Sequence, residues 1–138
     1  MNLLLVDDEV IIVSLLKKHI AWKELGIEEV LIAYTAAEAR RSVEDHAVDI
    51  IICDIEMPGG SGLELLNAVR SRNLDTICIF LTAYARFEYI SNAMKLSSSD
   101  YLLKPVEDEQ LYAALDKAQE QLRKRKRDQL NTLYAGYW

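Results

Sequence analysis

The chain has 138 residues, 51% of them apolar and 28% charged, the mix of one ordinary globular domain rather than a disordered or fibrous chain. Folding at this size hides roughly 70% of the surface an unfolded chain exposes, so neither a disulfide nor a structural metal is needed to hold a core. With 22 acids against 16 bases the net charge is −6, which argues against nucleic-acid binding by the main body. The start, MNLLLVDDE, lacks a basic leader, and no apolar run approaches the ~18 residues of a membrane span; a cytoplasmic protein is expected.

In chain order, the apolar run at 3–6 (LLLV) ends at Asp7-Asp8 and is followed by Val10, Val13, Leu16 and Ile20 at helical spacing. A second run at 30–33 (VLIA) leads into Thr35 and Glu38. The third, at 50–53 (IIIC), ends at Asp54 and passes Pro58, Gly59, Gly60 and Gly62 on the way to a helix carrying Leu63, Leu66 and Val69. Thr35 with Glu38, and Ser61 with Glu64, have the spacing of a capping box, which satisfies otherwise unpaired amides at a helix start. The fourth run, 77–81 (ICIFL), ends at Thr82 and precedes Phe87, Ile90 and Met94. The fifth, 101–103 (YLL), ends at Lys104-Pro105 and precedes Leu111, Leu115 and Leu122.

These runs are continuous rather than alternating, so both faces of each strand should be buried, as in a parallel sheet covered by helices. Five strands and five helices in strict alternation predict a doubly wound α/β sandwich. Cys53 and Cys78 lie inside apolar runs without metal-ligand spacing and read as buried thiols of a reducing compartment. His19 and His46 lie away from the strand ends and read as helix residues without a catalytic part.

The charge is uneven. Residues 121–138 carry an unbroken basic run from Arg123 to Arg127 against the single acid Asp128, a net of +4, which leaves −10 on residues 1–120. That step predicts a domain over 1–120 and a basic helical extension or linker over 121–138, with Leu122, Leu130, Leu133 and Tyr137 as an imperfect apolar stripe. Cations suit the negative end of a helix, so a solvated helix end explains the basic run more simply than a nucleic-acid contact.

The chemistry lies in the polar residues at the strand exits. In a parallel sheet these exits gather on one rim, where ligands of open α/β sheets bind. If the first and third strands are neighbours, Asp7, Asp8 and Asp54 meet there. Two unit charges ~5 Å apart repel by roughly 3 kcal/mol at an effective dielectric of ~20, so such a cluster takes up protons or binds a hard cation. Oxygen donors without His or thiolate favour Mg²⁺, or Mn²⁺, over zinc. Lys104 adds a point charge and Thr82 a hydroxyl, together a receptor for a phosphoryl group; a carboxylate inside it can be the nucleophile that becomes an aspartyl phosphate. Singly, each residue has a plainer reading: Asp7 or Asp8 as a helix cap, Asp54 as a turn residue, Thr82 as a cap, Lys-Pro as a strand exit. Their joint placement at strand ends favours the site.

At these residues the chain resembles the receiver domain of bacterial two-component response regulators, from about residue 2 to 120. The resemblance is carried by Asp7-Asp8, the segment DIEMPGGSG (54–62), Thr82-Ala83 and YLLKP (101–105). The stretches 21–30 (AWKELGIEEV) and 87–106 are similar to a subgroup usually fused to an AraC-type helix-turn-helix output domain. The resemblance implies a flavodoxin-like (βα)5 fold with strand order 2-1-3-4-5, in which Asp54 accepts a phosphoryl group from a sensor histidine kinase. It further implies Mg²⁺ held by Asp8 and Asp54, with Asp7 assisting and the backbone carbonyl of Glu56 completing the set. Lys104 would pair with the phosphoryl oxygens, Thr82 would hydrogen-bond one of them, and Tyr101 would change rotamer with Thr82. Ala83 would leave the acceptor accessible, and Glu56 and Tyr84 would modulate phosphoryl lifetime. Output would run through a face at 86–120, as a homodimer, with Lys95 and Arg86 set against Asp108, Glu109 and Asp116. DNA would be reached only through an output domain outside these residues.

One departure is Ser97-Ser98-Ser99, where many relatives have glycine before the fifth strand. An aspartate-nucleophile phosphatase would need a second Asp where Glu56 stands. A flavodoxin-type cofactor binder would need a Ser/Thr/Gly-rich loop where Asp7-Asp8-Glu9 stands. A degenerate receiver acting only as an interaction module would lack acceptor residues that this chain keeps.

Overall fold

The computed structural model describes residues 1–72 and 75–135, the side chains of Phe87 and Ala135 apart. Five strands, β1 (Asn2–Val6), β2 (Glu29–Ala33), β3 (Ile50–Cys53), β4 (Ile77–Thr82) and β5 (Asp100–Leu103), alternate with α1 (Val10–His19), α2 (Ala36–Asp45), α3 (Gly62–Ser71), α4 (Phe87–Lys95) and α5 (Asp108–Ala135). All pairings are parallel, in the order β2-β1-β3-β4-β5, so β1 lies directly beside β3 with Val6 opposite Cys53. The doubly wound sandwich and its strand order are thus as the sequence leads one to expect.

Successive side chains of a strand point to opposite faces, and the continuous runs therefore feed two cores. Leu3, Leu5, Ile50, Ile52, Ile77, Ile79 and Leu81 pack beneath α1 and α5 through Val13, Ile20, Leu111, Leu115 and Leu122. Leu4, Val6, Ile51, Cys53, Cys78 and Phe80 pack beneath α2, α3 and α4 through Ala39, Leu65, Leu66, Val69 and Ala93. Both thiols are buried and unbridged; burial pushes Cys78 up to about 12 and Cys53 well above its ordinary range, so each stays protonated.

Two helix starts carry the N-caps that their sequences predict, though not the full reciprocal box. Thr35 Oγ1 accepts the Glu38 amide and Ser61 Oγ accepts the Glu64 amide, each at 3.1 Å. Glu38 reaches back to the amide of Tyr34 at 2.9 Å, one residue beyond the N-cap amide that the usual box engages.

Periodicity misassigns three apolar side chains. Val10 is 58% exposed, since α1 meets the core through Val13 and Leu16 instead. Met94 and Ile90 are also exposed; the inner face of α4 is instead Ala93, supported by Tyr89 and Leu96. The charge step at residue 120 is not a structural break, for α5 runs through it as one helix of 28 residues. Leu130 and Leu133 are exposed on that extension, and Tyr137 lies outside the described residues. His19 is exposed and pairs with Asp108 at 2.7 Å. Among the described residues no helix is long and apolar enough to cross a membrane.

Candidate functional site

The strand order decides the site. With β1, β3, β4 and β5 side by side, Asp7, Asp54, Thr82 and Lys104 emerge at one rim from four neighbouring strands. Residues 97 positions apart in sequence thereby come into contact. Lys104 Nζ donates to Asp7 Oδ2 at 2.7 Å and to Asp54 Oδ2 at 3.1 Å, and it also reaches Glu9 Oε1 at 3.3 Å. Asp7 and Asp54 are buried, each 6% exposed.

Two backbone features fix Asp54. The Asp54 amide donates to the Val6 carbonyl, tying the end of β3 to β1. The helix α3 then returns so closely that a Cβ on Gly62 would lie 2.2 Å from the Asp54 carbonyl oxygen; only glycine permits the approach. On the β1 side, Asp7 Oδ1 accepts the Glu9 amide at 2.9 Å. Asp7 therefore braces its own loop with one oxygen and holds Lys104 with the other.

The electrostatics follow from burial. Desolvation raises Asp54 above the ordinary aspartate range; Lys104 pulls it back, and the Asp7 charge adds to the rise. Burial alone would lower Lys104, but the Asp7 hydrogen bond and the charges of Asp54 and Asp7 outweigh it and hold the ammonium above the usual lysine range. One lysine does not fully compensate the carboxylates.

Asp7, Glu9 and Asp54 each offer an oxygen within 4.8 Å of the others, a group able to hold a metal ion. Hard oxygen donors without imidazole or thiolate suit Mg²⁺ or Mn²⁺, and the uncompensated negative charge leaves room for a further cation. These residues fit such an ion. Asp8 is exposed and stands outside that group. Glu9 is the member that sequence reasoning passed over, although it completes the acidic triplet at the first strand exit.

The remaining predicted residues surround this cluster. Thr82 is fully buried, and its Oγ1 accepts the Tyr84 amide at 3.4 Å. Ala83 is exposed, and Tyr84 is 43% exposed. Tyr101 donates its hydroxyl to the Tyr84 carbonyl at 2.6 Å and packs tilted against Phe80, ring planes at 58° and centroids 6.4 Å apart. Glu56 accepts a short hydrogen bond from the Tyr89 hydroxyl and pairs with Arg86 at 3.5 Å. Arg86 thus turns to Glu56 rather than to the acids of α5. Beside the cluster, Ile12, Leu15, Ala83, Pro105 and Val106 line an apolar groove that Glu9 and Lys104 border.

Comparison with known proteins agrees with this arrangement. Residues 3–116 match the response regulator receiver domain. The chain is 35% identical over 115 residues to the transcriptional regulatory protein YesN of Bacillus subtilis, covering 83% of this chain and 31% of YesN. It is 37% identical over 109 residues to the transcriptional regulatory protein HptR of Staphylococcus aureus, covering 79% and 42% respectively. The chain therefore spans less than half the length of these relatives. The receiver domain of AraT, a response regulator from Geobacillus stearothermophilus, superposes with a TM-score of 0.82 at 33% identity, covering 91% of this chain and 97% of that one. A CheY-like receiver domain from Methanospirillum hungatei gives 0.77 at 30% identity, covering 92% and 97%.

Proposed function

Because the chain belongs to the response regulator receiver domain family, we propose that it is a regulatory phosphoacceptor, taking a phosphoryl group onto Asp54 from a sensor histidine kinase in a Mg²⁺-dependent reaction. The observation that carries this reading is the contact of Lys104 with both Asp54 and Asp7 in a buried rim pocket. The Asp54 carboxylate attacks phosphorus, the bond to the donor breaks, and the donor leaves with the bonding pair. Lys104, already beside Asp54, pairs with the phosphoryl oxygens, and Thr82 supplies a hydroxyl at the neighbouring strand end. A bound Mg²⁺, or Mn²⁺, would offset negative charge on the transferring group.

Asp8 and Asp54 are the proposed direct metal ligands, with the Glu56 backbone carbonyl. Asp7 assists, a division supported by its being engaged on both oxygens while Asp8 is exposed. The apolar groove along α1 and Pro105-Val106 gives the donor protein a landing surface next to the acceptor. Exposed Ala83 keeps the approach open.

Switching follows from new charge-assisted bonds. A phosphoryl dianion on Asp54 draws Thr82 toward it. Thr82 Oγ1 accepts the Tyr84 amide and the Tyr84 carbonyl holds the Tyr101 hydroxyl, so the same displacement reaches Tyr101. The face at 86–120, with exposed Ile90, Met94 and Leu103, is the proposed surface for a homodimer. Residues 1–120 form the receiver and 121–138 a linker. Transcription is controlled from the cytoplasm through an AraC-type output domain outside these residues, which alone contacts DNA. Turnover of small phosphoesters is not expected, since Glu56 stands where a phosphatase needs its second Asp.

The test is incubation with Mg²⁺ and a small acyl-phosphate donor, read by intact-protein mass. One phosphate should appear, require the metal, disappear at high pH and be absent from Asp54→Asn. Equal labelling of that variant would defeat the proposal.

A further inference from the structure

The outer side of α5 carries a pattern that the chemistry at the rim does not use. Leu111, Ala114, Leu115, Ala118 and Leu122 turn one side of the helix into the core. Away from the core, Glu109, Ala113, Asp116 and Glu120 are exposed, and further along so are Arg123, Arg127, Leu130 and Tyr134. These positions recur at alternating steps of four and three residues, the seven-residue repeat by which two helices lie along each other. From 109 to 134 the stripe runs roughly 38 Å, at a helical rise of about 1.5 Å per residue. Its acids stand in the first half, and its cations and then its larger apolar side chains in the second. The ion pairs place the charges on one side, for Arg123 and Arg127 both reach Glu120, at 3.0 and 3.3 Å. The Asp116 carboxylate has no partner among the described residues.

We propose that this stripe is a self-association surface, along which α5 of a second copy of this chain lies antiparallel. The twofold axis falls midway between Glu120 and Arg123. In that register Glu120 of each copy faces Arg123 of the other, and Asp116 faces Arg127. Ala113 faces Leu130, a small side chain against a large one, and Glu109 faces the Tyr134 hydroxyl. Each pair occurs twice, because a twofold contact uses the same patch on both copies. Charge complementarity decides the orientation. A parallel pair in register would set Asp116 on Asp116 and Arg127 on Arg127, and like charges so placed repel. The bodies leave room for the contact, since each lies on the side of its own α5 turned away from the stripe. The extension of one copy covers the body section of α5 in the other. Leu130 and Tyr134, exposed on their own copy, thereby gain a cover. This surface is separate from Ile90, Met94 and Leu103, and it does not require a phosphoryl group on Asp54.

Sedimentation of the whole chain at low ionic strength tests the contact in wild type, Asp116→Arg, Arg127→Asp and the double variant carrying both. Both positions are exposed, so the variants should fold, and matching thermal midpoints check it. Wild type should sediment as a dimer and lose that state in high salt, which screens exposed ion pairs. Each single reversal should weaken association by roughly tenfold or more, and the double variant should regain it. Contacts within one helix do not explain that recovery, since residues 116 and 127 lie about 16 Å apart along α5. Register is read by oxidising a variant with Ala113→Cys and Leu130→Cys, both at exposed positions, while Cys53 and Cys78 stay buried. A dimer bridged from 113 to 130 is the expected product, with neither single variant bridging. A monomer at every concentration, bridges between like positions, or a double variant that does not recover overturns the proposal. So does a dimer that Met94→Glu abolishes and Asp116→Arg leaves intact. Asp54→Asn should pair as wild type does, so loss of the contact and loss of phosphate uptake are separate results.

Discussion

At the scale of single residues, the site is a balance between burial and pairing. Asp54 is raised by desolvation despite its contact with Lys104, so at a pH between the ordinary and the folded values the folded chain holds a proton there that the unfolded chain has released. Stability therefore falls as pH rises above the ordinary value of 3.8 toward the folded value, and it stays lower at neutral pH. Lys104 works in the opposite range. Its raised folded value means that the pairing contributes in full below the ordinary 10.5 and is lost only as pH climbs through the folded value. Replacing the buried acid by an isostere removes the first cost, while Asp7 and Glu9 still hold the ammonium. Asp54→Asn should thus be more stable than wild type by about 1 kcal/mol at pH 7, with the gap closing near pH 4. Denaturant titrations in metal-free buffer at the two pH values check both the sign and its loss. That Asp7, Asp54, Thr82 and Lys104 share one rim was legible because each breaks an apolar run at a strand exit, whereas Asp8, read with them, is exposed and outside the Asp7–Glu9–Asp54 group. Glu9 was not, since a glutamate opening a helix looks like any solvated charge. Arg86 and Tyr89 were not, since nothing local in sequence says that they meet Glu56.

At the scale of elements, the signals that sequence shows and those it hides have the same physical origin. Continuous β-branched and leucine runs read as strands buried on both faces; β1, β3 and β4 are found so, whereas the edge strands β2 and β5 are only partly covered, contrary to that expectation, because each has a neighbour on one side alone. The capping residues Thr35 and Ser61 act through their immediate neighbours, and such local signals survive in sequence. Val10, Ile90 and Met94 have helical spacing yet face outward, because periodicity does not say where the sheet beneath a helix ends. The stretch between α4 and β5 shows a local cost that sequence could pose but not resolve. Ser97 is left-handed there, at φ 58°, a region that costs an L-residue roughly 1–2 kcal/mol. The turn persists because the Ser97 amide bonds to Met94 and the Ser98 amide to Ala93, closing the end of α4. Ser97→Gly should therefore raise stability by roughly 0.5–1 kcal/mol, the relief of strain being partly offset by greater freedom in the unfolded chain. An unfolding midpoint equal to or below that of wild type would show that the serine is not strained.

At the scale of the whole molecule, the charge step and the helix boundary do not coincide. The acid excess belongs to residues 1–120, whereas α5 continues as one helix into the basic run. Arg123 and Arg127 fold back onto Glu120, and Arg125 onto the Asp75 carbonyl. The Arg125 contact ties the start of the basic run to the body, a coupling by which, under the proposed function, motion of the receiver would pass along α5. Such coupling presupposes that distant strand exits make one chemical centre with Asp54 as its nucleophile. Borohydride reduction of the acyl-phosphate-treated chain tests that most directly, because it converts a phosphorylated aspartate to homoserine that peptide mass spectrometry can locate. Homoserine at position 54, formed only when Mg²⁺ accompanied the donor, is the predicted result. Homoserine at position 7 or 8, or a treated chain with aspartate intact at 54, would contradict it.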